Sequence, residues 1–189
     1  MFYKEKKKIE AISKKEDAKL IEGNKDEELL FHLKDCLSML KDHYEQESAF
    51  NLCQTINCLY HYIEDKENVK KDKYIDINYS KGSILLVDFG TMNFGYEFND
   101  VHPAVVIYQN KYQVFVAPLT SEKAYRNIPD SIFVSKKDGF KKDSIILMDQ
   151  TRYISKNRVI SKLGQTNVKT YMAISRYIYN RLTNKTNFL

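Results

Sequence analysis

Gly95-Tyr96-Glu97-Phe98-Asn99-Asp100-Val101-His102-Pro103-Ala104-Val105-Val106-Ile107 joins a polar loop to an unbroken apolar run. The β-branched residues after Pro103 read as a buried strand, and Glu97, Asp100 and His102 hang at its mouth. Outward from this stretch, Val114-Phe-Val-Ala-Pro-Leu-Thr-Ser121 is a second apolar strand, ending in the hydroxyls of Thr120 and Ser121. A third, Ser144-Ile-Ile-Leu-Met148, runs into Asp149, Gln150 and Arg152. In these two a buried strand delivers polar groups at its C-terminal end, and the mouth of the first strand is where chemistry would be placed.

The remaining strands are expected over residues 82–89, 131–134 and 151–154, beside 104–108, 112–119 and 144–148 for the three above. Short strands at this spacing predict a small, strongly bent antiparallel sheet or barrel. Thr166 is expected to cap a final helix in which Val168, Tyr171, Met172, Ser175, Ile178 and Leu182 share a face. Before the strands the pattern is helical. Leu29, Leu30, Leu33, Cys36, Leu37, Leu40 and Tyr44 form one stripe, and Leu52, Cys53, Ile56, Leu59, Tyr60 and Ile63 form another. Two such helices predict a hairpin, or a three-helix extension if residues 1–26 add a marginal helix. Their apolar faces call for a partner: the first helix, the barrel or a second subunit. Dense charge over residues 64–78 predicts a linker, so the chain divides into an extension, 1–78, and a β-rich domain, 79–189. The expected class is α+β.

The net charge of +5 hides a division: residues 1–78 carry −3 and no arginine, whereas residues 79–189 carry +8 and all five arginines. A basic unit beside a mildly acidic one points to a polyanion-binding module; a Lys-rich surface is the plainer account. No apolar run reaches membrane-spanning length, and the first residues lead into charge rather than an apolar signal region, which predicts a cytoplasmic protein. Cys36, Cys53 and Cys58 are expected to be reduced thiols packed in helices. If the helices fold back on each other, His32, Cys36, Cys58 and His61 approach a zinc-binding set. Cys58 and His61 lie off the apolar stripe, which favours packing over metal.

The order Gly82-Ser-Ile-Leu-Leu-Val-Asp-Phe, Gly95-x-Glu97, Val101-His-Pro-Ala-Val-Val-Ile, Val114-Phe-Val-Ala-Pro-Leu-Thr-Ser, Gly139-Phe-x-x-Asp-Ser-Ile-Ile-Leu, Asp149-Gln-x-Arg and Lys162-Leu-Gly resembles the PemK/MazF family, the ribonuclease toxins of bacterial toxin–antitoxin pairs. The resemblance runs over residues 79–182 and leaves the first 78 outside. It implies a small SH3-like barrel with a C-terminal helix, acting as a homodimer on single-stranded RNA. It also implies a small antitoxin partner whose acidic tail occupies the RNA groove. Family members carry Arg where this chain has His102, and a Thr or Ser pair where it has Thr120 and Ser121. The same barrel serves toxins that bind a topoisomerase without RNA chemistry, and a protein-binding adaptor is a further alternative.

Ribonuclease chemistry without metal or cofactor needs a group titrating near neutrality, a fixed cation and hydrogen-bond donors. His102 fits the acid–base role, Thr120 and Ser121 the donors, and Arg152 the cation. Histidine carries protons near neutral pH better than arginine, but lacks the bidentate fork that clamps phosphate. A loop-ending His102, turn-forming hydroxyls and an Asp149–Arg152 salt bridge are the structural alternatives. Phe94, Tyr96, Phe98 and Tyr125 are available to stack unpaired bases or to pack their loops. Lys136, Lys137 and Gln150 are candidates for RNA contact. Glu97 and Asp100 are secondary candidates, such acids being more often loop-shaping or arginine-orienting than catalytic, and Glu97 is also a candidate for RNA contact.

Overall fold

A computed structural model of the chain describes residue 7 and residues 26–71, 76–90, 93, 95, 97–121 and 130–183. Two compact units are formed, Met1–Leu52 and Cys53–Leu189. Among the described residues no helix is long and apolar enough to cross a membrane.

In the first unit, helix α1 spans Glu27–Tyr44. Asp26 caps it by accepting the Leu29 N–H at 3.1 Å, and acids in the first turn and bases in the last match the helix dipole. His32 is the buried residue of this helix, whereas Leu33, Leu37 and Leu40 remain exposed.

Helix α2, Ala49–Lys70, begins where Ser48 Oγ accepts the Asn51 N–H at 3.2 Å. It carries the chain from the first unit into the second. Its helical backbone continues through Lys70, so residues 64–70, expected as linker, are helical. Glu and Lys are good helix formers, and density of charge alone does not end a helix. Within the second unit Ile56, Leu59, Tyr60 and Ile63 are exposed while Thr55 is buried and Cys58 and Asp65 are half-buried. The polar face of this segment is therefore the covered one. The expectation of core cysteines is overturned with it: Cys36 and Cys53 are exposed, and Cys58 is half-buried in a polar setting.

The second unit is a bent antiparallel sheet of seven strands: β1 Ser83–Asp88, β2 Val101–Gln109, β3 Gln113–Thr120, β4 Ser131–Val134, β5 Ser144–Leu147, β6 Arg152–Ser155 and β7 Val159–Gln165. The path runs β4-β5-β3-β2-β1-β7. Strand β3 is where the sheet divides, because its first half, Gln113 to Val116, pairs with β6 and its last residues, Leu119 and Thr120, pair with β5. On its other side β3 pairs with β2 as far as Ala104↔Pro118. Proline has no N–H to donate, so Pro103 and Pro118 suit the place where that ladder stops.

The unbroken Ala104-Val-Val-Ile107 run has a direct explanation. Val105 and Ile107 enter one core with Ile84, Leu119 and Ile146, while Ala104 and Val106 enter a second with Leu85, Val87, Phe89, Val114, Val116 and Ile154. A strand buried on both faces loses its alternation. Strand β7 escaped the sequence reading for the opposite reason. It is an edge strand, half-exposed along its length, with two register irregularities against β1.

Helix α3, Val168–Leu182, closes the first core with Ile174, Tyr177 and Ile178. Its cap is Asn167, whose side chain accepts the Thr170 N–H at 2.8 Å, and not Thr166, whose hydroxyl donates to the Asp138 carbonyl at 3.0 Å. The buried face also differs from expectation, since Val168, Met172 and Leu182 are exposed and Thr170 and Ile174 are buried. Of the expected face, Ile178 packs against the first core and the Tyr171 hydroxyl donates to the Ile107 carbonyl at 3.1 Å. Gly139 has φ +95° and lies so near the following segment that a Cβ would stand 2.3 Å from the Gln165 carbonyl oxygen, which accounts for the glycine in the Gly139-Phe stretch.

Candidate active site

The loop between β1 and β2 is closed at its root by two backbone bonds, Phe89 N–H to the Asp100 carbonyl at 2.9 Å and Asp100 N–H to the Gly90 carbonyl at 2.7 Å. Both turning residues, Gly90 and Asp100, have positive φ, a region that Asp tolerates better than most side chains. Asn93 cross-braces the loop, donating to the Phe89 carbonyl at 2.9 Å and the Phe98 carbonyl at 2.8 Å. Phe98 is thereby turned inward. Its ring meets Phe89 edge-on with centroids 5.4 Å apart and lies 4.5 Å from the His102 ring.

Strand pairing decides which predicted residues share a face. His102 stands opposite Val87, and Arg152 opposite Val116. Val87 and Val116 both belong to the second core, and Thr120 is an even number of residues beyond Val116 along β3, so His102, Arg152 and Thr120 lie on one face of the sheet. His102 and Thr120 are each two residues past the last β2–β3 pair.

Arg152 is half-buried. One guanidinium N–H reaches the Gln150 side-chain carbonyl at 3.3 Å, and the group lies 5.8 Å from the centre of the Phe89 ring. It makes no other hydrogen bond or ion pair among the described residues. The Asp149–Arg152 salt bridge is not formed; the Asp149 carboxylate accepts from the Gln150 amide at 3.4 Å. The same Gln150 carbonyl accepts the Phe98 N–H at 3.2 Å.

Thr120 is buried opposite Ile145, whereas Ser121 is exposed and accepts from the Lys142 ammonium at 3.3 Å. Glu97 is exposed, its carbonyl accepting from the Asn99 amide at 3.0 Å. Lys136 and Lys137 occupy a 3-10 turn, Lys136–Asp138, bonded to the start of α3 through Asn167 and Thr170. Asp138 in that turn accepts the Ser135 amide and hydroxyl, and these bonds hold its carboxyl below the usual carboxylate range. Phe94, Tyr96 and Tyr125 lie outside the described residues.

One cluster was missed. Asp88, buried at the end of β1, accepts the Gly90 N–H at 2.8 Å, the Cys58 thiol at 3.1 Å and a bond to His61 Nδ1 at 3.1 Å. Burial pushes its carboxyl up, but the bonds from His61, Cys58 and Gly90 and the charge of Arg158 together hold it below the usual range. Next to it, the Asn157 amide donates to Asp65 of α2. These side chains line a groove of about 470 Å³ with Tyr62, Glu64, Asn68, Arg158, Val159 and Ile160. The available signal was an acid set between apolar residues in Val87-Asp88-Phe89, in a strand otherwise buried. Among the described residues no three His, Cys, Asp or Glu side chains are placed to hold a metal ion; of the candidate zinc set, His32 and Cys36 lie on α1 and Cys58 and His61 on α2.

The second unit is thus a bent antiparallel sheet closed by a C-terminal helix, and comparison with known proteins gives its family. Residues 80–181 match the family of PemK-like, MazF-like toxins of type II toxin-antitoxin systems. The Endoribonuclease MazF of Staphylococcus saprophyticus is 32% identical over 104 residues, which cover 52% of this chain and 86% of that protein. Among solved structures, MazF from Deinococcus radiodurans is 17% identical with a TM-score of 0.46, covering 57% of this chain and 99% of that one. An endoribonuclease in complex with its cognate antitoxin from a mycobacterial species is 18% identical with a TM-score of 0.45, covering 56% and 96%. The chain belongs to the PemK/MazF toxin family.

Proposed function

We propose that this toxin is an endoribonuclease that cleaves single-stranded RNA without metal, by attack of a ribose 2′-hydroxyl on the adjacent phosphate. In that step the 2′-oxygen bonds to phosphorus, the P–O5′ bond breaks and the 5′-oxygen leaves with a proton. His102 takes the first proton or supplies the second. The observation that carries the reading is Arg152: a half-buried guanidinium with no carboxylate partner among the described residues, on the face that also bears His102 and Thr120. A half-buried cation without a counter-ion favours an anionic ligand, and phosphate suits a guanidinium fork. Thr120 and Ser121 donate to the phosphate oxygens, and Phe98, whose ring lies 4.5 Å from that of His102, is available to stack a base. Lys136 and Lys137 track the RNA backbone farther out.

The domain acting on RNA is residues 79–189, working as a cytoplasmic homodimer, with residues 1–78 an accessory extension. An antitoxin protein holds the activity down, as the mycobacterial relative's complex with its cognate antitoxin suggests by analogy. The polar contacts of α2 to Asp88 and Asn157 give the extension a second means of restraint, at the root of the loop that carries Phe98.

The test is to incubate the purified full chain with a mixed single-stranded RNA in chelator and sequence the product ends. Cleavage at a short motif to 2′,3′-cyclic phosphate ends is expected, and His102→Ala should slow it by ~100-fold or more, the scale of lost acid–base help. Intact RNA would move the assignment to a binding toxin. Undiminished cleavage by His102→Ala would remove that residue from the chemistry.

A further inference from the structure

Four residues around the proposed site form a closed circuit, three links through side chains and one through the Phe98 backbone N–H. The Gln150 carbonyl accepts the Phe98 N–H at 3.2 Å, Phe98 meets Phe89 edge-on at 5.4 Å, Phe89 lies 5.8 Å beneath the Arg152 guanidinium, and Arg152 returns to the same Gln150 oxygen at 3.3 Å. His102 sits on this circuit through its 4.5 Å ring contact with Phe98. Gln150 is itself steadied, its amide donating to Asp149 at 3.4 Å and its backbone N–H to the Leu147 carbonyl at 3.4 Å.

We propose that Gln150 is a positioning residue: one side-chain oxygen ties the β1–β2 loop to Arg152 and so sets the spacing between the proton carrier His102 and the phosphate-binding cation. This rests on the endoribonuclease reading and replaces the expectation that Gln150 contacts RNA. The physical argument is one of saturation. A side-chain carbonyl has two acceptor sites. Phe98 and Arg152 take both, and Asp149 takes an amide hydrogen, so little of the group is left to read a base. Phe98 and Arg152 lie on different elements, a loop and β6, and are linked through Gln150 and the Phe89 ring. Without Gln150, the loop carrying Phe98 would be free to shift relative to the cation. A misplacement of about 1 Å in a positioned group can cost ~100-fold in rate.

The experiment compares Gln150→Leu and Gln150→Glu with the wild type. Leucine keeps the bulk and removes the acceptor; glutamate keeps two oxygens for Phe98 and Arg152. Gln150→Leu is expected to lower kcat by ~10–100-fold with KM changed less than about threefold and the cleavage motif unchanged, while Gln150→Glu, which keeps the acceptor for Phe98 but gives Arg152 a counter-ion, is expected to leave kcat low and to raise KM. Independently of activity, amide exchange at Phe98 should accelerate by ~10-fold or more in Gln150→Leu and return toward wild type in Gln150→Glu. Unchanged Phe98 exchange in Gln150→Leu would overturn the proposal whatever the kinetics. So would an altered cleavage motif, which marks a base reader. If the wild type leaves RNA intact, the endoribonuclease reading fails, and Phe98 exchange alone then decides whether the clamp exists.

Discussion

Replacing Asp88 by Asn probes the contact that sequence reading missed. The Asp88 side chain is 7% exposed and its carboxylate accepts Gly90 N–H at 2.8 Å, Cys58 Sγ at 3.1 Å and a His61 bond at 3.1 Å. Asparagine keeps one acceptor oxygen, loses the charge and turns an NH₂ toward one of the donors. Hydrogen bonds to a charged group contribute about 1.5–3 kcal/mol and neutral ones about 1 kcal/mol, so at the low end of that range weakening two and losing the third should cost about 2.5 kcal/mol. For a unit of this size that lowers the melting temperature by roughly 5–10 °C. The pH dependence has a definite sign. The folded carboxyl lies below its unfolded value, so its contribution is present above the unfolded pKa of about 4 and is lost as pH falls through the folded one. Thermal melts followed by circular dichroism between pH 7 and pH 2.5 should therefore show a gap between wild type and Asp88→Asn that is full near neutrality and narrows in acid. Equal melting temperatures at pH 7, or a gap constant through acid pH, would refute the account of Asp88 as a charged anchor.

Gly139→Ala should destabilise by roughly 3 kcal/mol or more, because it combines a positive φ with a Cβ 2.3 Å from the Gln165 carbonyl oxygen; chemical denaturation measures the loss. Tyr177 donates to the Asp130 carboxylate, and burial, that bond and the carboxylate charge push its phenol up to about 12. In an ultraviolet absorbance titration, Tyr177→Phe should remove the step near 12.

The apolar runs and their terminations were enough to place six strands, because a strand buried on both faces concentrates β-branched residues in an unbroken run, as in Ala104 to Ile107. Local signals also marked the helices around Leu33 and Ile56, since helical periodicity is a property of neighbouring residues. Local pattern does not say what a face meets. The stripe of Ile56, Leu59 and Ile63 is exposed and the polar residues Cys58 and Asp65 are turned toward Asp88 and Asn157, an arrangement that only long-range packing decides. Edge strand β7 was illegible because, half-exposed and irregular in register, it has neither alternation nor a continuous apolar run. By itself the sequence determined the barrel class, the division of charge and the identities of His102, Thr120 and Arg152 as residues at strand ends. Tertiary structure decided that these three share one face, that Arg152 bonds Gln150 rather than Asp149, and that Phe98 joins the loop to His102. Strand register and loop closure bring together residues that lie tens of positions apart in the chain, and neither is written in any local stretch.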